Sequence, residues 1–407
     1  MARRWITALL CAALATVGAG TLAAEDQLSF KLSGEVDADV TACTENTDSV
    51  FSSGSFQEVT AKGLVDGKLV FSRKYTTLGL FDFTVADAAV LSHETGATVE
   101  TPSLTINELY TDLNFGDLFF LRLGKQRLKW GAGYVYNPSD PVNPPKDPTA
   151  ARAVREGVPA AKVELITPVV SVAAFGVVFD ELQRWGVGGR LSSSKIPGTD
   201  LSLSAYWSRN ESWTAAVNAS VAPLYEEPGW DTWQVWFEGG LFGKARYSAF
   251  GDGSTPGTFD GTQYSFLLGT SATVPGLRTV AIIEYYHLSE GLNADELSTV
   301  YSVHSAQWLG ELARRPARQG RDYLFVSLTQ PSITDSGDAI LDDIGLRGSA
   351  LVSLTDLSFF VQAGVVTSFV DDSNVELGLG WAGGGSRTEF GNSPAGLSAT
   401  LTVRVFF

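Results

Sequence analysis

The C-terminal segment of the chain, Leu397–Phe407, constrains the fold most strongly. Every second residue in it is apolar, and these residues are Leu397, Ala399, Leu401, Val403, Val405 and Phe407. The positions between them are polar, with Phe406 as the exception. This period of two predicts a β-strand with one apolar and one polar face. A soluble chain rarely ends inside such a strand on an aromatic residue, because a frayed apolar terminus gains little stability there.

The same segment resembles the closing strand of Gram-negative outer-membrane β-barrels. In those proteins a terminal aromatic residue after alternating apolar residues is the signal that the barrel assembly machinery recognises. The resemblance implies that Phe407, Val405 and Val403 carry this signal here, and that the barrel assembly machinery is a partner of the chain.

The N-terminal end predicts export. Arg3 and Arg4 precede an apolar run, and the small residues Ala23 and Ala24 follow it. This arrangement predicts a cleaved signal peptide over residues 1–24. The alternative is an N-terminal membrane anchor, although no basic stop-transfer flank follows the apolar run. After cleavage Cys43 is the only cysteine, so an intramolecular disulfide is excluded and no thiol-based metal site is expected.

Composition favours a β-barrel over a helical membrane protein. The chain carries a formal charge of −16, which argues against binding to nucleic acid. Its mean hydropathy is only +0.07. After residue 24 no apolar run reaches the ~18 residues that a membrane helix needs. A transmembrane barrel has modest hydropathy because half of each strand faces a polar lumen.

Alternating segments recur along residues 25–407 and predict an all-β fold. We expect a transmembrane antiparallel up-and-down β-barrel of about 18 strands, with 16 as the alternative, in the bacterial outer membrane. A polar stretch over Ala42–Ser55 predicts a loop, with the second strand starting at Gly67. If the C-terminus lies at the periplasmic end, short turns fall at that end and the longer polar loops fall outside. The short turns are Asn114–Asp117, Pro197–Asp200, Pro275–Gly276 and Asp371–Asn374, and the longer loops are Ser248–Gly261 and Gly383–Pro394.

One segment predicts a helix in an extracellular loop. Asn293 and Glu296 have the spacing of a capping box. The predicted helix covers residues 294–315, and one face of it holds Leu297, Val300, Tyr301, His304, Trp308 and Leu312. This helix either packs over the mouth of the barrel or acts as a movable gate or docking surface.

A long irregular segment, residues 129–158, interrupts the strand pattern. Five prolines between Trp130 and Pro148 prevent regular structure, and a loop of this length is usually functional. The segment resembles the GRQ…WG…NP…NPxD region of a broad group of outer-membrane porin-like barrels. The matching residues are Gly124, Lys125, Gln126, Trp130, Gly131, Asn137, Pro138, Asp140, Asn143, Pro144 and Asp147. Lys125 replaces the arginine of that pattern, and the tandem Pro144-Pro145 also departs from it.

The resemblance implies that this loop folds into the lumen and narrows it. The candidate pore or constriction residues are Arg122, Gln126, Lys129, Trp130, Tyr134, Tyr136, Asn137, Asp140, Asn143, Asp147, Arg152 and Arg155. Strict alternation directs Arg122 and Gln126 to the lumen.

Two placements are open for the basic residues near the start of the loop. Alternation directs Lys125, Arg127 and Lys129 outward, where they could bind the phosphates of lipopolysaccharide. Alternatively, the loop draws cations inward and sets a transverse field across a constriction. In that arrangement Lys129, Arg152 and Arg155 would face Asp140 and Asp147.

These features favour a porin or channel for passive or substrate-preferring diffusion of small polar solutes, with a weak preference for cations. The first alternative is a transporter for hydrophobic small molecules, with an apolar entry site formed by Trp130, Tyr134, Tyr136 and Trp308. An adhesive or structural barrel, or an outer-membrane hydrolase using His93 beside Glu94, are further alternatives. No enzymatic activity, cofactor or metal is expected. Outer-membrane lipid and lipopolysaccharide are expected partners, and a homotrimer is expected by analogy with porins.

Overall fold

The protein is described from a computed structural model. The described residues are 28–46, 49, 57–73, 76–92, 96–99, 102–116, 118–128, 130–143, 148–149, 156–179, 184–209, 212–223, 232–274, 278–315, 317–334, 342–368 and 372–407. The predicted signal peptide therefore lies outside the described residues.

The chain forms a closed antiparallel barrel of 18 strands. The strands are β1 Leu28–Glu45, β2 Gln57–Arg73, β3 Thr76–Ser92, β4 Gly96–Val99 continuing as Ser103–Phe115, β5 Phe119–Gln126, β6 Val158–Ile166, β7 Ser171–Phe179, β8 Arg184–Ser193, β9 Thr199–Ser208, β10 Ser212–Val221, β11 Gln234–Phe242, β12 Gln263–Val274, β13 Thr279–Leu288, β14 Asp322–Gln330, β15 Ile344–Ser353, β16 Ser358–Thr367, β17 Ser373–Gly383 and β18 Ala395–Phe406. Each strand pairs with the next, and β18 pairs with β1. The expected count of 18 is confirmed, and the alternative of 16 is wrong.

The pairing of β18 with β1 shows which face points outward. Leu401 lies opposite Val40 and Val403 lies opposite Ala38, so apolar residues share one face across the seam. Leu401, Val403 and Val405 are 40–48% exposed on this outer face. Phe407 exchanges two backbone hydrogen bonds with Gly34, of 2.9 and 3.0 Å. An exposed apolar band of this kind suits contact with lipid, whereas the other face lines the lumen. Within the part of the chain that the structure describes, no helix is long and apolar enough to cross a membrane.

The first hairpin is longer than the sequence pattern predicted. Strand β1 continues to Glu45, although a loop was expected from Ala42, and β2 begins at Gln57 rather than at Gly67. In β2 the outer face at Ala61 and Gly63 carries small residues, which weakens the apolar alternation by which a strand is recognised. Pairing with β1 and β3 on both sides keeps this part of β2 extended.

The predicted single helix over residues 294–315 is wrong, because within this segment the structure has two shorter helices. They are α1, Ala294–Val303, and α2, Ala306–Ala313. The predicted capping box at Asn293 and Glu296 is present. His304 has φ 57°, and this left-handed conformation ends α1. The buried face includes Trp308, but His304 is exposed at the break.

The connections have unequal lengths at the two ends of the barrel. The longest described connections, 127–157, 243–262 and 289–321, all leave the end opposite to the C-terminus, which we call the outer end. The inner end carries short turns, but it also has two longer connections, 222–233 and 331–343.

We expect Gly34→Ala to impair closure of the barrel. A Cβ at Gly34 would overlap the carbonyl oxygen of Asp66 and the ring of Phe407, and overpacking of this kind typically costs about 1–3 kcal/mol. The folded fraction, followed by heat-modifiable migration in gel electrophoresis during refolding into lipid, should fall. Gly63→Ala is the matched control, since a Cβ there would meet nothing within 4 Å. Equal folding of both variants would contradict the prediction.

Candidate functional site

Strand β5 supplies two lumen-facing residues, as alternation predicted. The Arg122 guanidinium donates to both Asp112 carboxylate oxygens at 2.6 and 2.8 Å, and it lies 3.8 Å above the centre of the Tyr110 ring. Gln126 is fully buried and donates to the Ala160 carbonyl at 3.0 Å. Arg122 is thus an ion-paired side chain on the lumen wall. Gln126 is buried, and its side chain stabilises the backbone of the neighbouring strand.

The outward placement expected for Arg127 is wrong. Its guanidinium lies 3.3 Å from Asp82 and 3.7 Å from Glu108, and its backbone N–H donates to Glu108 at 2.8 Å. Strand β5 ends at Gln126, so the alternation that would direct Arg127 outward stops before it. Lys125 is on the outer face and pairs with Glu156 at 2.8 Å. Lys129 lies outside the described residues.

We call residues 127–157 the inner loop. Its described part lies against the lumen wall, where two wall carboxylates accept its backbone N–H groups. Glu238 on β11 accepts from Gly133 N at 2.5 Å, from Ser139 N at 3.3 Å and from the Ser139 hydroxyl at 2.7 Å. Glu284 on β13 accepts from Tyr134 N at 2.5 Å and from Val135 N at 2.8 Å.

Both carboxylates are almost completely buried, and neither was recognised in the sequence. A buried carboxylate is strongly disfavoured unless hydrogen bonds satisfy it, and the inner loop supplies most of those bonds. Glu284 also accepts from the Trp236 indole at 3.1 Å. One feature of the sequence could have indicated Glu284. It is the single acidic residue on the lumen face of β13, which otherwise carries apolar residues such as Ile282 and Tyr286.

Two glycines in the Trp130-Gly-Ala-Gly-Tyr134 segment permit this close approach. Gly131 has φ +71°, and a Cβ there would overlap both carboxylate oxygens of Glu238. A Cβ at Gly133 would overlap the carbonyl oxygen of Tyr136. The backbone of this segment therefore wraps around the Glu238 carboxylate only because these positions have no side chain.

The three aromatic candidates in the inner loop have different surroundings. Trp130 packs edge-on against Phe175, with ring centroids 5.1 Å apart. Tyr136 stacks on Tyr286 at 4.2 Å, and its hydroxyl donates to the Ala317 carbonyl at 2.6 Å. Tyr134 is 57% exposed.

The predicted apolar entry site for hydrophobic compounds is therefore wrong as stated. Trp130 is 8% exposed, Tyr136 is 1% exposed and Trp308 is fully buried. Trp130, Tyr136 and Trp308 therefore pack within the loops. Of the four aromatic residues in the predicted entry site, only Tyr134 has an exposed ring.

The polar candidates Asn137, Asp140 and Asn143 stabilise the turn of the inner loop. Asp140 accepts from the backbone N–H of Val142 at 3.1 Å and of Asn143 at 3.0 Å. The Asn143 amide donates to Asp140 at 2.8 Å, and the Asn137 amide donates to the Trp130 carbonyl at 3.3 Å. Asp147, Arg152 and Arg155 lie outside the described residues, as does Lys129. A transverse field between the cations Lys129, Arg152 and Arg155 and the acids Asp140 and Asp147 therefore stays a prediction.

The inner loop reaches the wall on the far side of the lumen. The Gln362 amide on β16 donates to the Thr149 carbonyl at 3.3 Å. Next to this contact the wall carries paired charges. Arg347 on β15 forms an ion pair with Glu376 on β17, and Arg404 on β18 lies 3.1 Å from Asp37 on β1.

The outer connections pack over the mouth above the inner loop. Arg315 is fully buried and donates to the Ser248 carbonyl at 2.5 Å and to Glu311 at 2.9 Å. Glu389 accepts from the Tyr323 hydroxyl at 2.5 Å and from Gln319 N at 3.2 Å. Burial, with a smaller contribution from neighbouring Asp356, raises the pKa of Glu389 to about 8.

No protein-family model matches the chain, and no curated protein sequence matches it. Solved structures do resemble it. Pseudomonas aeruginosa OccK5 (OpdH) is 8% identical with a TM-score of 0.54, covering 93% of this chain and 98% of that one. Acinetobacter baumannii OccAB1 is 9% identical with a TM-score of 0.52, covering 93% and 96%. Pseudomonas aeruginosa OccK2 (OpdF), solved in complex with glucuronate, is 11% identical with a TM-score of 0.50, covering 93% and 98%. The fold is that of outer-membrane porins.

Gly131→Ala should release the inner loop from Glu238. The left-handed φ alone disfavours alanine by about 1–2 kcal/mol, and the overlap with the carboxylate adds to this. Trypsin cleavage within residues 127–157, followed by mass spectrometry on the folded barrel, should accelerate by roughly five-fold or more. Gly310→Ala, on the exposed side of α2 with open space at its Cβ, is the control. Unchanged cleavage of the Gly131 variant would show that the contact does not hold the loop.

The raised pKa of Glu389 predicts that the mouth loosens at high pH. The folded state favours the protonated carboxyl, so its contribution to stability is complete below the usual pKa of 4.5 and is lost as pH rises through about 8. Between pH 5 and pH 9.5, hydrogen-exchange protection of residues 317–323 and 388–392 should fall by more than about 1 kcal/mol, after correction for intrinsic rates. Glu389→Gln should remove most of this dependence, and an equally steep loss in that variant would refute the assignment.

Proposed function

We propose that the protein is an outer-membrane channel for small polar solutes, and that the inner loop determines the width of its passage. The observation that carries this proposal is the attachment of the inner loop to Glu238 and Glu284 inside an 18-strand barrel. A barrel of 16 to 18 strands is wide enough to leave an aqueous channel, which an internal loop can narrow. Polar and charged side chains on the lumen face suit the passage of hydrated solutes.

The structural neighbours support a channel function at this general level. They are substrate-specific outer-membrane channels, and one of them was solved with glucuronate.

The outer face of this barrel carries the exposed apolar band that contact with outer-membrane lipid requires. The same proposal places lipopolysaccharide near Lys125 at the outer rim, and it assigns Phe407, Val405 and Val403 to recognition by the barrel assembly machinery. A homotrimer is the assembly that we propose by analogy with porins.

A catalytic role has little support from the histidines that the structure describes. His287 lies 2.8 Å from Asp322, but pairing across β13 and β14 places both on the outer face, beside Tyr285. His304 is exposed at the break between α1 and α2. His93 lies outside the described residues. We therefore propose transport without catalysis.

Planar-bilayer conductance tests the proposal. The refolded protein should give stable current steps, and replacement of residues 132–150 by a Gly/Ser linker should enlarge them, because the loop no longer occupies the lumen. A matched control replaces residues 224–230, in an inner-end connection, with a linker of equal length and should leave the steps unchanged. Reversal potentials under a salt gradient then report the charge preference. Silence of the wild-type protein and of both variants would refute the channel.

A further inference from the structure

A groove runs across the outer face of strands β9 to β12, near the outer end of the barrel. Its volume is about 560 Å³. Leu203 on β9 lies opposite Val217 on β10, and Val217 lies opposite Gly239 on β11, so these residues share one face. The outer-face residues that line the groove are Leu203, Ala215, Val217, Gly239, Leu241, Tyr264 and Phe266. Two small residues, Ala215 and Gly239, thus leave a depression among longer apolar side chains.

The lumen side of the same strands is covered by the inner loop. The Ser139 hydroxyl donates to Glu238 at 2.7 Å, and a Cβ at Gly240 would overlap the Pro138 carbonyl oxygen. Glu238 and Gly240 alternate along β11 with Gly239 and so face the lumen. The groove therefore faces the membrane, and an occupant reaches it from the lipid.

Three tryptophans lie on this outer face, between the groove and the outer end of the barrel. Trp207 lies directly opposite Trp213, and Trp185 packs edge-on against Trp207 with ring centroids 5.3 Å apart. The three residues are 37–44% exposed. Tryptophan in this position is typical of the boundary between lipid and water. The row therefore indicates the level of the lipid headgroups, with the groove below it in the hydrocarbon.

Two exposed cations lie next to this row, at the outer end of the strands. Arg209 follows β9, and its backbone N–H donates to the Trp185 carbonyl at 3.1 Å. Lys244 follows Gly243, where a Cβ would overlap the Trp213 ring. Both cations are exposed, and no acidic residue in the described part of the chain pairs with either. In a chain of formal charge −16, two such cations at headgroup level favour an anionic ligand.

The spacing of these surfaces matches one leaflet of a membrane. Leu203 lies six residues before Arg209, which is roughly 20 Å along an extended strand. With the usual tilt of a barrel strand, this corresponds to a depth of about 15 Å, half of the hydrocarbon core. A lipid with its phosphates beside the cations can therefore lay an acyl chain along the groove.

Packing, rather than the hydrophobic effect, favours an acyl chain in this groove. The surrounding lipid is as apolar as the groove, so entry gains no hydrophobic free energy. An unfilled depression loses dispersion contacts, which a thin and flexible chain restores. The convex wall of a second barrel would touch only the edges of the depression.

We propose that the groove and the two cations form a binding site for lipopolysaccharide. An acyl chain of its lipid A lies along Leu203, Ala215 and Leu241, and its phosphates lie at Arg209 and Lys244. Lipid A carries more than one phosphate, which suits two cations on different strands. The inference goes beyond solute transport, because no part of the site faces the lumen.

Native mass spectrometry of the refolded protein in detergent, with bisphosphorylated lipid A titrated in, tests the site. The wild type should bind lipid A more tightly than dephosphorylated lipid A or phosphatidylethanolamine. Arg209→Gln combined with Lys244→Gln should raise the Kd for lipid A by about five-fold or more, because both phosphate contacts are lost. Arg314→Gln combined with Arg387→Gln removes two exposed cations from other outer connections and should leave this Kd unchanged.

A second variant tests the groove without changing the charge. Ala215→Phe fills the depression and should raise the Kd for lipid A by about three-fold or more. Ala363→Phe is the matched control, because Ala363 is a small exposed residue on the outer face of β16. Heat-modifiable migration in gel electrophoresis shows that each variant is folded before its Kd is measured.

The outcomes separate this site from other occupants and from the channel. An unchanged Kd in the variant lacking both cations, or equal binding of lipid A and its dephosphorylated form, overturns the site. Equally tight binding of phosphatidylethanolamine assigns the groove to acyl chains in general and overturns the assignment to lipopolysaccharide. An oligomer that Ala215→Phe dissociates assigns the groove to a second copy of the chain. Wild-type protein that binds lipid A but gives no current steps overturns the channel and leaves the site intact.

Discussion

Closure of the barrel between β18 and β1 is the constraint on which the rest of the structure depends. In a lipid environment no water satisfies an unpaired backbone N–H or C=O group, so a sheet with free edges is not tolerated. The seam from Glu35–Phe406 to Glu45–Ala395 removes both edges. Closure also separates two environments, because side chains then alternate between the lipid-facing exterior and the lumen along every strand. The weak mean hydropathy of the chain follows from this alternation.

The same requirement for satisfied backbone groups explains how the inner loop is held. A proline-rich segment inside a lumen cannot pair its N–H groups in a sheet or a helix, so other acceptors must be present. Glu238 and Glu284 meet this need from two wall strands. The arrangement is reciprocal, since the loop N–H groups also satisfy two carboxylates that the barrel would otherwise bury at high cost. Glycine at positions 131 and 133 permits the close contact.

The outer connections and the inner loop form one packed unit at the mouth. Tyr136 links the inner loop to the segment after α2 through the Ala317 carbonyl, and Glu389 links that segment to β14 and the last outer connection. The inner loop is held by Glu238 on β11, by Glu284 on β13 and by the segment after α2, so its position depends on contacts far from the seam.

The sequence by itself determined the strand alternation, a count of about 18 strands with 16 as the alternative, the capping box at Asn293 and the irregular character of the inner loop. All of these depend on residues close in the chain, where side-chain period and turn chemistry act directly. Only the tertiary structure decided that Arg127 turns inward, that α1 ends at His304, and that Glu238 and Glu284 anchor the loop. Tyr134 and Tyr136 show why. They are two residues apart in one motif, yet one is exposed and the other is buried, because their partners Phe325 and Tyr286 come from strands far away in the sequence.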